Sequence, residues 1–261
     1  MSPVDEFAYF EDPPEFIMPE YEFDEVHISC TFTCDKSRAE QLAEKWSRIG
    51  KPVLLGGPAY DDRGGEFIPG RYLKQGCVIT SRGCPGKCWF CDVWRREGPI
   101  CELPITEGYV ILDNNLLACS ETHVRAVFNM LSRQEKKARF SGGLEAALLK
   151  PWHVDLFYKA KPKTMYFAYD TPDDYEPLVE AGKMLLKAGF TTRSHTLCAY
   201  VLIGYPKDTM EGAEKRLLQT IEAGFVPFAM LYKDKNWHED KEWHKFQRTW
   251  VRPEIIFSKD R

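Results

Sequence analysis

The stretch Cys77-Val78-Ile79-Thr80-Ser81-Arg82-Gly83-Cys84-Pro85-Gly86-Lys87-Cys88-Trp89-Phe90-Cys91 is where this sequence declares itself. Its first four residues are an apolar, β-branched run, which predicts a strand. A loop containing Gly83, Pro85 and Gly86 follows and carries thiols at C-x3-C-x2-C spacing. From this point on, strand signals alternate with helix signals to the end of the chain.

Tyr109 to Leu112 reads as a strand ending in Asp113-Asn114-Asn115, and a helix with Val124, Val127, Phe128 and Leu131 comes next. Ala138 to Ser141 reads as a short strand ending in Gly142-Gly143, before a helical stretch over about Leu144 to Tyr158. Thr164 to Tyr169 is a strand ending in Asp170. Asp173 or Asp174 then caps a helix with Leu178, Ala181, Leu185 and Ala188, closed by Gly189. Leu197 to Ile203 is a long apolar strand ending in Gly204. Asp208 or Thr209 caps a helix with Ala213, Leu217 and Ile221, closed by Gly224, and Phe225 to Leu231 is the last strand. Six strands in β–α order predict an α/β fold with a parallel sheet, and right-handed crossovers would curl it. Too little chain remains for eight strands, so the expectation is a partial (β/α)6 barrel spanning residues 71–235. In such folds chemistry sits at the C-terminal ends of the strands.

Upstream, residues 25–70 hold Val26 to Ser29 as a strand, a helix capped by Asp35 or Ser37, and Pro52 to Leu55 as a second strand. This is one small βαβ unit, ended by Gly56-Gly57-Pro58. Residues 1–24 form an acidic, proline-rich arm, ordered where Phe7, Tyr9, Phe16 or Tyr21 finds a groove. The C-terminal extension, 236–261, is amphipathic. If it is helical, Trp243, Phe246 and Trp250 share a face for packing on the core, with a substrate lid as the alternative.

The chain has 261 residues, is 44% hydrophobic and 28% charged, and carries a net charge of −4. That composition supports a sizeable core and gives no reason to expect nucleic acid as a partner. Residues 1–25 hold nine acidic side chains and no Lys or Arg, which leaves the remainder mildly basic. No apolar run reaches membrane-spanning length and no signal segment opens the chain, so a soluble cytoplasmic protein is expected. The nine cysteines are an odd number, against a disulfide scaffold.

Three loop thiolates can hold three corners of a cubane iron–sulfur cluster, whereas four would leave no open iron. No fourth cysteine follows at ferredoxin spacing; Cys77 precedes the loop and Cys101 follows it at a distance. An iron without a protein thiolate can take a chelating amino acid such as the methionine end of S-adenosylmethionine (SAM), by the open-position logic of catalytic zinc sites. A zinc site is the competing reading. Cys30 and Cys34 form a second C-x3-C. They would need further ligands, such as Cys77, Cys101 or Cys119, to hold an auxiliary cluster, and otherwise are buried small residues.

The loop resembles the signature of the radical SAM superfamily, C-x3-C-x-aromatic-C, matched at Cys84, Cys88, Phe90 and Cys91. The resemblance covers about Cys77 to Leu231. It implies a [4Fe–4S] cluster and SAM as cofactors, with a low-potential donor of the flavodoxin or ferredoxin type as partner. By the same resemblance, Asp113, Asn114 and Asn115 stand where the SAM amino group binds, although the common Gly-Gly-Glu is missing there. Gly142, Gly143 and Glu145 resemble a close-approach turn, Asp170 a ribose-hydroxyl ligand, and Gly204 part of the motif flanking adenine, with Phe90 against the adenine. Where that motif has its first glycine, this chain has Tyr200. Cys198 and Tyr200 share a strand face and are candidate hydrogen-atom donors, or else core residues. Residues 25–70 resemble a truncated cobalamin-binding segment, but Asp24-Glu25-Val26-His27 does not continue the D-x-H-x-x-G motif, and no cobalamin is expected.

Overall fold

The computed structural model of the chain describes residues 23–62, 73–234, 240–251 and 256. The expected aromatic anchors of the acidic arm lie outside them. The chain divides into two units, residues 1–75 with 233–238 and residues 76–232 with 239–261.

In the first unit, β1 (Val26–Ser29) and β2 (Val53–Gly56) are parallel neighbours, in register from Val26 opposite Val53 to Ser29 opposite Gly56. The crossover between them is α1 (Lys36–Ser47), which buries Ala39 and Trp46. The expected βαβ unit is therefore present. Asp35 occupies the N-cap, but its side chain makes no capping hydrogen bond. The core is small, built on Cys30, Ala39 and Ala59 with Ile28, Leu55 and Tyr60 packed against it.

The second unit begins with β3 (Cys77–Val78) and continues with β4 (Ser81–Arg82), a short helix α2 (Val93–Arg96) and β5 (Cys101–Glu102). Next come β6 (Val110–Ile111), α3 (Glu121–Ser132), β7 (Arg139–Leu144) and α4 (Pro151–Ala160). They are followed by β8 (Thr164–Tyr169), α5 (Tyr175–Lys187), β9 (Leu197–Ile203), α6 (Met210–Glu222), β10 (Val226–Leu231) and α7 (Lys241–Thr249). Six strands form one sheet in the order β10-β9-β8-β7-β6-β3, and every neighbouring pair is parallel. Strands adjacent in this order are joined through helices, as the alternation predicts. β4 and β5 pair antiparallel and form a separate hairpin that encloses the cysteine loop; this ladder is too short to leave a periodic signal in the sequence.

One face of the sheet is packed under the helices. Phe140, Phe157, Phe167 and Phe225 are almost fully buried there, each worth about 1.5–3 kcal/mol of transfer free energy. Phe140 and Phe157 meet edge to face at 5.1 Å, and Phe167 meets Phe225 at 5.2 Å. Caps define several helix starts. Ser120 Oγ accepts from His123 N at α3, and Thr209 Oγ1 accepts from Gly212 N at α6. Thr209, rather than Asp208, is therefore the cap.

The strand expected over Cys77 to Thr80 ends at Val78, and the largest shift of a boundary is at α4. The helix expected from Leu144 begins at Pro151, and Leu144 instead closes β7. Proline lacks the N–H that a helix interior needs but fits the first helical position. Gly142 and Gly143 accordingly lie inside β7, not in a turn after it. At the C-terminus, α7 packs on the core through Trp243 and Phe246, and Trp250 is buried. Gln247 Nε2 donates to Ala229 O at 3.0 Å, and Ala229 N donates to Trp250 O at 3.2 Å. The packing expected for the C-terminal extension is thus seen over Lys241–Trp250. Among the described residues no helix is long and apolar enough to cross a membrane.

Candidate functional site

The C-terminal ends of the parallel strands gather most of the residues singled out from the sequence. The organising group is Asp113, two residues beyond the end of β6. Its side chain is buried, and its oxygens accept from Thr80 N at 2.6 Å, Thr80 Oγ1 at 2.5 Å and Ser81 Oγ at 2.9 Å. Burial pushes its carboxyl up, against the lowering effect of these hydrogen bonds. Asp113 thus fixes the point where the chain leaves β3 for the cysteine loop. Both of its oxygens are engaged by Thr80 and Ser81. Gly142 passes so close beneath that a Cβ there would lie 2.9 Å from the Asp113 carbonyl carbon, which excludes any side chain.

The next two residues hold the loop itself. Asn114 Oδ1 accepts from Gly83 N at 3.0 Å. Gly83 has φ +83°, a conformation that favours glycine, and a Cβ there would lie 2.7 Å from the Pro99 carbonyl carbon. Asn115 Nδ2 faces Cys84 Sγ at 3.5 Å and donates to Glu145 Oε2 at 2.6 Å. Asn115 Oδ1 is buried and has no hydrogen-bond partner. The loop is closed on itself by the Arg82–Glu97 ion pair and by Cys84 N donating to Gly98 O at 3.2 Å.

Cys84, Cys88 and Cys91 are all free thiols. A Cβ on Gly86 would lie 3.4 Å from Cys84 Sγ and 3.7 Å from Cys88 Sγ, so both sulfurs border that residue. Gly86 N donates to Cys84 Sγ at 3.4 Å, and the Val93 N–H donates to the Cys91 sulfur. Partial burial, then the neighbouring Cys91 and Cys84 thiols and the Asp170 and Asp174 carboxyls, push the Cys88 thiol up. Cys91 is raised by burial as well, with Cys84, Asp92 and Asp170 adding to it. The three thiols and Asp170 therefore share one electrostatic neighbourhood. A cation would reverse the cost of ionising crowded thiols, and metal ligation requires thiolates. Among the described residues, no three His, Cys, Asp or Glu side chains are already gathered as ligands of one metal ion.

Asp170 follows β8. Burial, then Asp174, pushes its carboxyl up to about 7, while the Leu202 N–H and Arg216 oppose the shift. The cap that its position invited is instead Thr171, in a capping box with Asp174, whose Oδ2 accepts from Thr171 N at 2.7 Å and Thr171 Oγ1 at 3.0 Å. Gly204 follows β9. Its N–H donates to Asp208 Oδ2 at 2.8 Å, and that same oxygen accepts from Arg216 Nη2 at 2.8 Å in a buried ion pair. Phe90 meets Trp89 edge to face at 5.4 Å, and Trp89 lies 5.7 Å from Tyr205 and 5.6 Å from Tyr232. This aromatic trio around the exposed Trp89 was missed from sequence. Tyr205 and Tyr232 come from segments far from Trp89-Phe90 in the chain, so no local pattern reveals the cluster.

Cys198 and Tyr200 do not stand at the strand ends. They lie within β9, on the sheet face away from the helices. Tyr200 stacks on Tyr166 with centroids 4.5 Å apart and planes 13° apart, and its hydroxyl donates to Ser141 O at 3.1 Å. Burial pushes Cys198 up to about 11, with a hydrogen bond from Tyr166 opposing it, and pushes Tyr200 up to about 12. Of the other cysteines, Cys101 is exposed on β5, and Cys119 is buried with its thiol pushed up to about 11. Cys30 lies in the core of the first unit, its Sγ donating to Phe32 O at 3.2 Å.

No family model matches the chain, and no curated protein matches it. The functional reading therefore rests on the residues and their geometry.

Proposed function

We propose that this chain is a radical SAM enzyme, and that its second unit is a partial (β/α)6 barrel built for that chemistry. The observation that carries the reading is the placement of C-x3-C-x-aromatic-C. Cys84, Cys88, Phe90 and Cys91 lie on the loop after the first strand of a sequentially ordered parallel sheet. Their surroundings fit such a group. Three free thiols border one loop, two of their sulfurs accept backbone N–H bonds, and a buried amide oxygen stands without a partner beside Cys84. When bound, a [4Fe–4S] cluster supplies the electron that divides SAM into methionine and a 5′-deoxyadenosyl radical able to take a hydrogen atom from a substrate.

The chain's own residues have definite tasks in this reading. Cys84, Cys88 and Cys91 hold the cluster, and Asp113 and Asn114 fix the loop that presents them. Asn115 Oδ1 and Glu145 offer oxygen acceptors to the SAM ammonium. Asp170 offers its carboxyl to the ribose hydroxyls, and Phe90 and Gly204 border the adenine. Tyr200 and Cys198 are hydrogen-atom donors on the sheet face. A low-potential flavodoxin- or ferredoxin-type protein delivers the electron, and a reducing, cytoplasmic setting suits the free thiols.

The test is anaerobic purification and reconstitution of the full chain. The expected result is a brown protein with about four irons per chain. With dithionite and SAM it releases 5′-deoxyadenosine. A colourless protein carrying one zinc and releasing none overturns the reading in favour of a metal-stabilised interaction module.

A further inference from the structure

One face of the parallel sheet is given to the helices; the other carries an aromatic floor and a cation. Met165, Phe167 and Tyr169 of β8 are buried in the helix-side core. Strand alternation puts Thr164, Tyr166 and Ala168 on the opposite face, with Asp170 continuing the row. The register sets Tyr166 opposite Cys198, and sets Ala168 and Phe228 on either side of Tyr200. Tyr166 and Tyr200 stack face to face in nearly parallel planes, leaving their outer faces for a further ring, and Phe228 stands edge-on to them at 6.2 and 5.7 Å. All three rings are only partly buried. The Tyr200 hydroxyl bond to Ser141 O holds its ring in place.

Arg139 opens β7 and is exposed, while its neighbour Phe140 is buried on the helix side, so alternation turns Arg139 toward the rings. Its positive charge acts on both tyrosines. Among the described residues no carboxylate pairs with it. Its register partner Thr164 has a buried hydroxyl with no hydrogen-bond partner. Flat rings favour another ring, and an uncompensated guanidinium with a spare hydroxyl favours an anion.

We propose that this face seats a substrate consisting of a planar ring that bears an acidic group, with the ring on Tyr166, Tyr200 and Phe228 and the anion toward Arg139 and Thr164. This rests on the radical SAM reading of the strand ends and names the ligand class for the sheet face that continues below them. Tyr166 lies four residues before Asp170 on one strand, roughly 13 Å along it, so the seat lies below the strand ends on the same face.

The experiment uses the reconstituted full chain and titrates indole-3-carboxylate, indole-3-carboxamide and cyclohexanecarboxylate by calorimetry and saturation-transfer NMR. The indole acid should bind, and the other two should each bind about tenfold more weakly. Arg139→Gln should weaken the acid about tenfold and leave the carboxamide unchanged. Tyr200→Leu should lose the preference for the indole acid over the cyclohexane acid, whereas Tyr200→Phe, which keeps the ring, should retain it. Equal binding of the cyclohexane acid, indifference to Arg139→Gln, or no binding of the indole acid overturns the proposal. SAM cleavage is assayed on the same samples. Release of 5′-deoxyadenosine without ring–acid binding sinks this inference alone. Ring–acid binding without release sinks the cluster chemistry and leaves the seat.

Discussion

Asn115 Nδ2 sits 2.6 Å from Glu145 Oε2 and 3.5 Å from Cys84 Sγ, so one side-chain amide ties the ends of two neighbouring strands to the first cysteine. Replacing it by aspartate would set two carboxylates against each other and remove the N–H that faces the sulfur. Asn115→Asp should lower iron retention and SAM cleavage by about tenfold or more, the usual effect of losing a partner of a metal ligand. Iron content and 5′-deoxyadenosine release measure this. An unchanged iron content would show that the amide has no part in holding the cluster.

The three loop cysteines should act as a set. Cys84→Ser, Cys88→Ser and Cys91→Ser should each abolish both the visible absorption of the reconstituted protein and SAM cleavage. Cys101→Ser, at an exposed position on the enclosing hairpin, should keep both. Equal loss in all four variants would mean that the loop thiols are not distinguished by position.

His153 is buried in α4, with Nδ1 accepting from Lys150 N at 3.0 Å. Burial first, then Lys150, lowers it to about 4 from an ordinary value of 6.5. The unfolded chain therefore takes up this proton before the folded one does, and stability falls as pH drops through the window between those values. The full loss is about 3 kcal/mol. Urea unfolding of the protein and of His153→Gln should show the wild type losing stability faster between pH 6.5 and pH 4. Parallel curves would refute the assignment.

Arg216 and Asp208 form an ion pair with side chains only 10% and 2% exposed. Arg216→Met leaves the Asp208 carboxylate buried without its cation and should cost about 3–5 kcal/mol. Asp208→Asn keeps a hydrogen-bonding group near Gly204 N and Arg216 but strands the cation, so it too should destabilise. Chemical denaturation of both variants is the check.

The strands were legible because four of the six runs end in Gly or Asp (Asp113, Gly142, Asp170 and Gly204), and because burial on both faces makes central parallel strands continuously apolar. Leu197 to Ile203 shows this most clearly, and its expected bounds match the observed strand. What escaped is what depends on partners far away in the chain. Gly142-Gly143 reads locally as a break, yet it continues β7 because Asp113 backs against it. Asp113 reads as a free strand-end carboxylate until Thr80 and Ser81 are folded onto it. Tyr166 was not singled out. Its meeting with Tyr200 is set by the pairing of β8 with β9, and register is not written in either strand alone.

The bond between Ala229 and Trp250 has a consequence for the lifetime of the protein in solution. β10 is the outermost strand of its sheet, and its outward backbone groups at Ala229 are taken by the last turn of α7 through the Trp250 carbonyl and the Gln247 amide. A sheet rim left bare is a template on which another chain can add a strand. Removing the final helix would open that rim and invite edge-to-edge aggregation, so the C-terminal segment guards solubility as well as packing.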